Sequence, residues 1–322
     1  MHSSLIMWSI LSLSCVTVIV SATVDDSNGS TGSKASTAPT EKSDSPDIVN
    51  VNQDSRIIEK AIKSLETSLE KNLQRLIHVV NATSGGNRPD EPDTFSSCKE
   101  IYVNHKWEGN KAYLLQVGSV KIPVFCYMTG LGPCGGGGWT LVMKIDGAKS
   151  TFRYDSNFWS NKIDFNFPGG KTLFDAQEAK LPTYWNTPFS KICLGIKIGQ
   201  QMKLIRINKR AKSLYSLIAD GQYRATSLGR NTWKTLIGSQ ASLQLNCNRE
   251  GFNVVSTSSN SYSKARIGIV GNNQNDCTSC DSRIGFGTGG TPDDSNACGN
   301  VAKYSNDNGE KFIKAMGYIL VQ

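Results

Sequence analysis

Histidine is scarce in this chain, with three among 322 residues. His2 lies in the opening segment, which leaves only His78 and His105. The sequence contains no G-x-S-x-G elbow, no H-E-x-x-H pair and no pair of carboxylates in an apolar setting. The side chains that acid–base or nucleophilic hydrolysis needs are therefore not assembled, and an enzyme is not expected. Beyond residue 20 no apolar run is long enough to cross a bilayer. An acidic excess is missing too: 35 Lys and Arg stand against 27 Asp and Glu, a formal charge of +8. This argues against an acidic, mineral-templating polymer. It points instead to anionic partners, namely glycans or acidic extracellular matrix components; no nucleic-acid partner is expected.

The opening 22 residues hold an apolar run over 5–20, with Val20 and Ala22 placed at −3 and −1 of a cleavage point before Thr23. That layout predicts a secretory signal peptide and, after its removal, no membrane span. Of nine cysteines, Cys15 leaves with this segment. The even set that remains is Cys98, Cys126, Cys134, Cys193, Cys247, Cys277, Cys280 and Cys298, which reads as a disulfide framework in an exported chain. The cysteine-free stretch before it carries two N-glycosylation sequons, at Asn28 and Asn81. Residues 23–53 are rich in Ser, Thr, Gly, Pro and Asp, a composition that cannot offset ordering entropy by burial and is read as a disordered spacer. In 54–82, Ile58, Ile62, Leu65, Leu69, Leu76 and Val79 recur at alternating steps of three and four, with Asn72 in the intervening core position. The spacing predicts a coiled-coil stalk and a homo-oligomer, the alternative being a helix packed on the neighbouring domain. Residues 83–96 read as a hinge.

Residues 97–322 are long enough for one domain with its own core. Strand-like runs at 120–128, 139–145, 194–198 and 314–321 alternate with turn-rich stretches, and a helical patch is expected around 173–181. The Asn-, Asp-, Gly- and Ser-rich segment 272–308 is expected to be largely loop. Together these features predict an α+β domain with mainly antiparallel sheet and long disulfide-stapled loops. Within 272–308, Asp276, Asp281, Asp293 and Asp294, with Asn272, Asn273 and Asn275, supply the hard oxygens that calcium prefers; the alternative is a solvated loop of side-chain turns. Cys277 and Cys280 have C-x-x-C spacing, but no second ligand pair accompanies them, so structural bridges are expected. Gly285, Gly287 and Gly290 match G-x-G-x-x-G by letter without a strand–turn–helix context, and read as loop glycines. The strongest charge feature is 191–234, where ten Lys and Arg face one acid, Asp220. Lys203, Arg206, Lys209, Arg210 and Lys212 lie in or beside a strand-like run and form a candidate polyanion-binding patch; the alternative is a dispersed solvated surface.

Three motifs occur in order: Ser97-Cys98-Lys99-Glu100-Ile101, then Val124-Phe125-Cys126-Tyr127-Met128, then the glycine run 135–138 with Trp139-Thr140. Together they resemble the opening of a fibrinogen C-terminal-like domain, while 283–290 with 296–299 looks more like the Gly-rich end of intelectin-like lectins. The arrangement is similar to secreted coral skeletal organic matrix proteins. The resemblance implies a bridge between Cys98 and Cys126 and another joining Cys298 to Cys280 or Cys277. Cys193 is assigned to Cys247, with Cys134 taking what remains. It also implies a matrix or recognition function, with calcium-dependent binding of glycans or acetylated groups as the alternative.

Overall fold

The computed structural model describes residues 58, 60–70, 72–73 and 94–322, which fall in two units, 1–87 and 88–322. The signal segment, the spacer, both sequons and most of the hinge lie outside the described residues. In the first unit, 60–70 are helical, and Ile58, Ile62, Leu65 and Leu69 all stand exposed. Among the described residues no helix is long and apolar enough to cross a membrane.

The second unit is built on two antiparallel sheets. The first contains β1 (Lys111–Val117), β2 (Val120–Tyr127), β3 (Trp139–Asp146), β4 (Ala179–Lys180), β5 (Phe189–Ile198) and β6 (Gln201–Ala211). The last strand, β13 (Met316–Val321), lies between β3 and β5, so the order is β1-β2-β3-β13-β5-β6, with β4 beside β3. The second sheet runs β12-β11-β10-β9-β8-β7. Its members are β7 (Arg224–Ala225), β8 (Asn246–Val255), β9 (Lys264–Asn272), β10 (Ser282–Gly289), β11 (Cys298–Ala302) and β12 (Lys311–Lys314). Mainly antiparallel sheet with short helices matches the expected α+β class.

The apolar runs of β3, β5 and β13 are buried on both faces, which explains why they do not alternate with polar residues. Ile192, Leu194 and Ile196 of β5 and Ile319 of β13 join Phe252, Ile267, Ile284 and Phe286 of the second sheet in the main core. Cys193, Tyr318 and Leu320, on the opposite face, join a second cluster with Cys98, Val124, Cys126 and Trp139. Trp139, Trp159 and Trp233 are fully buried. Each indole N–H is satisfied, by Gly136 O at 2.7 Å, Arg153 O at 3.0 Å and Glu250 Oε2 at 2.8 Å respectively.

The expected helical patch at 173–181 is not helical. Asp175 accepts from Thr172 Oγ1 and from the Gln177 N–H, Phe174 is left-handed at φ 60°, and β4 follows. These turn contacts outcompete the apolar spacing. The segment 272–308 also departs from expectation, because it holds β10 and β11. The glycines that suggested loop are there for close strand approach: Gly285 pairs with Gly268, and a Cβ on Gly285 would meet Ile267 O at 2.4 Å.

Three bridges brace the unit. Cys98–Cys126 is as the resemblance implied, and Cys134–Cys193 and Cys247–Cys277 complete the set. Cys193 therefore bonds Cys134 and not Cys247, because it projects from β5 toward the second cluster, where the Gly132–Cys134 turn packs. Cys280 and Cys298 are unbridged and buried, so the expected Cys298 pairing is also corrected. Cys298 faces the main core, whereas Cys280 and Cys277 sit in a separate cluster with Val254 and Val270. By loop entropy the bridges contribute about 3.6, 4.3 and 3.7 kcal/mol in chain order.

Candidate polyanion-binding edge strand

β6 ends the order of the first sheet, so one side of its backbone is free of strand pairing. Ile205 and Ile207 point into the main core, which sends the even-numbered residues the other way. The five candidate cations consequently divide. Arg206 and Arg210 lie on this opposite face, beyond Met202 and Leu204, which pack against the second cluster, and Lys212 follows just past the strand; all three cations are exposed. From Arg206 to Lys212 is six residues, about 20 Å of extended chain. Lys203 and Lys209 share the parity of the core-facing residues, Lys203 exposed and Lys209 half-buried. Sequence reasoning grouped all five; the period-two alternation of β6 was the signal that separates them.

The counter-ions set these residues apart from the rest of the basic run. Arg224 pairs with Asp220 at 2.6 Å, and Arg230 and Lys234 share Asp307 at 2.7 and 2.5 Å. Lys191 donates to Gln322 Oε1 at 3.0 Å and Lys197 to Phe174 O at 2.8 Å. Among the described residues, the side chains of Lys203, Arg206, Lys209, Arg210 and Lys212 form neither an ion pair nor a hydrogen bond. A groove of about 700 Å³ runs along this strand, lined by Pro133, Lys203, Leu204, Arg206, Asn208 and Thr232. Pro133 and Thr232 come from the Gly132–Cys134 turn and the helix Arg230–Thr235, which flank the strand. No local pattern of residues announces that these two elements meet at β6.

The helix side of the groove is anchored from β8. Glu250 is buried and accepts from Thr226 Oγ1 at 2.6 Å, Leu228 N at 3.0 Å, Gly229 N at 2.7 Å and Trp233 Nε1 at 2.8 Å. Gly229, the residue before the helix, has no capping side chain; the Glu250 carboxylate holds the chain entering the helix by accepting its N–H and that of Leu228. Burial pushes the Glu250 carboxyl up, but the four donors outweigh it and hold it below the usual range.

Three of the four candidate calcium ligands, Asp276, Asp293 and Asp294, accept hydrogen bonds from residues two to four positions away. Asp276 accepts from Thr278 N and Oγ1 at 2.8 and 2.6 Å and from Asn272 Nδ2 at 2.9 Å, and the Thr278 contacts hold its carboxyl low. Asp281 is pushed up by burial. Asp293 accepts from Ser295 N and Oγ at 3.0 and 2.6 Å. Asp294 accepts from Gly290 N at 2.6 Å and pairs with Arg153 at 3.0 Å. Among the described residues no three His, Cys, Asp or Glu side chains converge as a metal group. Asp276, Asp293 and Asp294 are thus engaged within the chain by hydrogen bonds and, at Asp294, an ion pair.

The described geometry defines a disulfide-braced, two-sheet antiparallel unit with a basic edge strand. No protein-family model matches the chain, and no curated protein aligns with it significantly.

Proposed function

We propose that this chain is a secreted extracellular matrix or recognition protein whose residues 97–322 form a fibrinogen C-terminal-like head, and that the head binds linear polyanions along β6. The observation that carries the binding reading is the contrast in counter-ions. Of the ten cations in 191–234, Arg224, Arg230 and Lys234 are paired with carboxylates and Lys191 and Lys197 donate to neutral oxygens, whereas the five on β6 and just beyond it have neither kind of partner among the described residues. An exposed strip of unpaired Arg and Lys presents fixed charge to a sulfated or carboxylated chain without first breaking internal pairs.

The fibrinogen-like reading is supported by the way its three motifs pack as one piece. Ser97 Oγ caps the helix Cys98–Val103 by accepting from Glu100 N at 3.3 Å, and the Glu100 carboxylate accepts from Ser96 N at 2.6 Å. Cys98 of that helix is bridged to Cys126 of β2, and its N–H donates to Thr140 Oγ1 at 3.0 Å. The glycine run closes against the same helix: a Cβ on Gly138 would meet Tyr102 Cβ at 2.9 Å. The stalk at 54–82, of which Ile58, Ile62, Leu65 and Leu69 are described and exposed, would cluster several heads and raise avidity for a repetitive polymer.

Heparin affinity chromatography of the mature protein tests the binding reading. The variant Arg206→Ala/Arg210→Ala/Lys212→Ala should elute at lower salt, with affinity down roughly tenfold if each contact contributes about 0.5 kcal/mol. Lys203→Ala/Lys209→Ala should shift elution less. Unchanged elution of the triple variant would refute the assignment.

A further inference from the structure

The pairing of β8 with β9 slips between Asn246 and Arg249. The two residues in the slip, Cys247 and Asn248, are left-handed at φ 63° and 51°. This bulge takes Cys247 out of the ladder and turns its side chain to Cys277, in the loop between β9 and β10. Three residues beyond Cys277, the unbridged Cys280 is buried with its Sγ 3.7 Å from Cys247 Sγ. A disulfide holds its sulfurs about 2.05 Å apart, so a closure of about 1.7 Å separates this contact from a bond. The Cys280 backbone is fixed by its N–H donating to Ser256 Oγ at 3.2 Å and its carbonyl accepting from Ser263 N at 2.9 Å. Cys277 lies in a largely exposed loop, half-buried itself.

We propose that Cys247, Cys277 and Cys280 form an intramolecular thiol–disulfide exchange site that converts the buried Cys280 thiol into a solvent-reachable thiol on Cys277. Cys280 loses its proton to solvent, and its sulfur attacks Cys247 Sγ. The Cys247–Cys280 bond forms as the Cys247–Cys277 bond breaks; the electron pair leaves on the Cys277 sulfur, which takes a proton from water. One bridge replaces another, so neither oxidant nor reductant is consumed. Nothing comparable exists at Cys298, whose thiol is buried without a neighbouring bridge. Around Cys280, burial and the nearby Asp281 and Asp276 disfavour the thiolate, while the Ser256 hydroxyl and the Arg249 guanidinium favour it. Burial dominates and raises the thiol, so exchange should accelerate as pH rises.

The test is native-state trapping of the full chain with N-ethylmaleimide at about pH 7 and about pH 9, followed by unreduced digestion and mass spectrometry. The expected result is label on Cys277 together with a Cys247–Cys280 cross-linked peptide, both accumulating faster at the higher pH. Recovery of Cys247–Cys277 as the sole bridge in this cluster, with label reaching Cys280 only after unfolding, would overturn the proposal. The isosteric Cys280→Ser variant should leave Cys277 unlabelled. Label on Cys277 in that variant would trace the reaction to another thiol and equally overturn it. The wild-type map decides the matter even where the variant fails to accumulate.

Discussion

Replacing Glu250 by Gln should loosen the helix that forms one wall of the β6 groove. Gln keeps the shape of the side chain but offers one carbonyl oxygen and one NH2 to four converging donors. With the oxygen placed where Oε2 stands, Thr226, Leu228 and Trp233 retain an acceptor, now neutral, and Gly229 N–H faces another donor. One buried bond lost and three charge-assisted bonds weakened amount to about 3 kcal/mol. For a domain of this size that is a fall in melting midpoint of roughly 6–12 °C. Tryptophan fluorescence is a suitable probe, because Trp233 is itself one of the donors. The pH dependence gives a second check with a definite sign. The folded carboxyl sits below its ordinary value, so its stabilisation is present above the unfolded pKa and is lost as pH falls through the folded one. The gap between wild type and Glu250→Gln should therefore be widest near neutrality and close below about pH 4. A variant melting within about 1 °C of wild type at neutral pH would refute this account of the anchor.

Two further substitutions probe other parts of the unit. Lys180 is fully buried, donates to Asn161 O and Oδ1 at 2.9 Å each, and faces the rings of Tyr184, Trp185 and Phe158. Burial lowers its ammonium to about 8, against the pull of Asp164. Between that pH and its ordinary value the unfolded chain binds the extra proton, so stability should rise with pH across about 8 to 10.5, by up to a few kcal/mol, and Lys180→Met should flatten the slope in urea titrations. An unchanged slope would contradict the burial-driven shift. Gly137→Ala would place a Cβ 1.7 Å from Met128 O and 2.8 Å from the Tyr102 ring, and should cost at least about 3 kcal/mol or prevent accumulation of folded protein. Gly118→Ala, at φ 64° with nothing within 4 Å, should cost only about 1 kcal/mol. Equal losses at the two sites would show that contact is not what fixes the glycine run.

The parts of the fold that were legible in the sequence are those whose pattern is set locally. β2, β3, β5, β6 and β13 each coincide with an apolar or alternating run, since burial acts on every second residue or, in central strands, on all of them. β10 and β11 were hidden because glycines placed for close strand approach and buried polar residues separate their few apolar core positions, Ile284, Phe286 and Val301. The buried Arg283 of β10 shows the same thing: it donates to Ser263 Oγ at 3.1 Å and to Asp293 O, contacts that no local pattern announces. Cysteine pairing was legible only at Cys98 and Cys126, where a known motif carried it. Elsewhere it depends on which face of a sheet each sulfur occupies, and the bulges that decide this leave little trace in composition.

The basic run was legible as charge but not as a surface, and the reason bears on its function. Edge strands commonly carry Lys and Arg to prevent pairing with other chains, so charge on β6 alone would not distinguish protection from binding. Protection requires only that the charges be present at the edge. Binding a polymer additionally requires that they be free of internal counter-ions and share one face. Asp307 reaches Arg230 and Lys234 from more than seventy residues away, at sequence separations of 77 and 73, and thereby removes those two cations from the available set. No acid does the same for Arg206, Arg210 or Lys212 among the described residues. Substitution by Glu separates the two roles: Arg206→Glu/Arg210→Glu/Lys212→Glu keeps a charged edge and should remain monodisperse in its head, yet lose heparin retention altogether. Retention that survives this reversal would leave edge protection as the sufficient explanation of the charge.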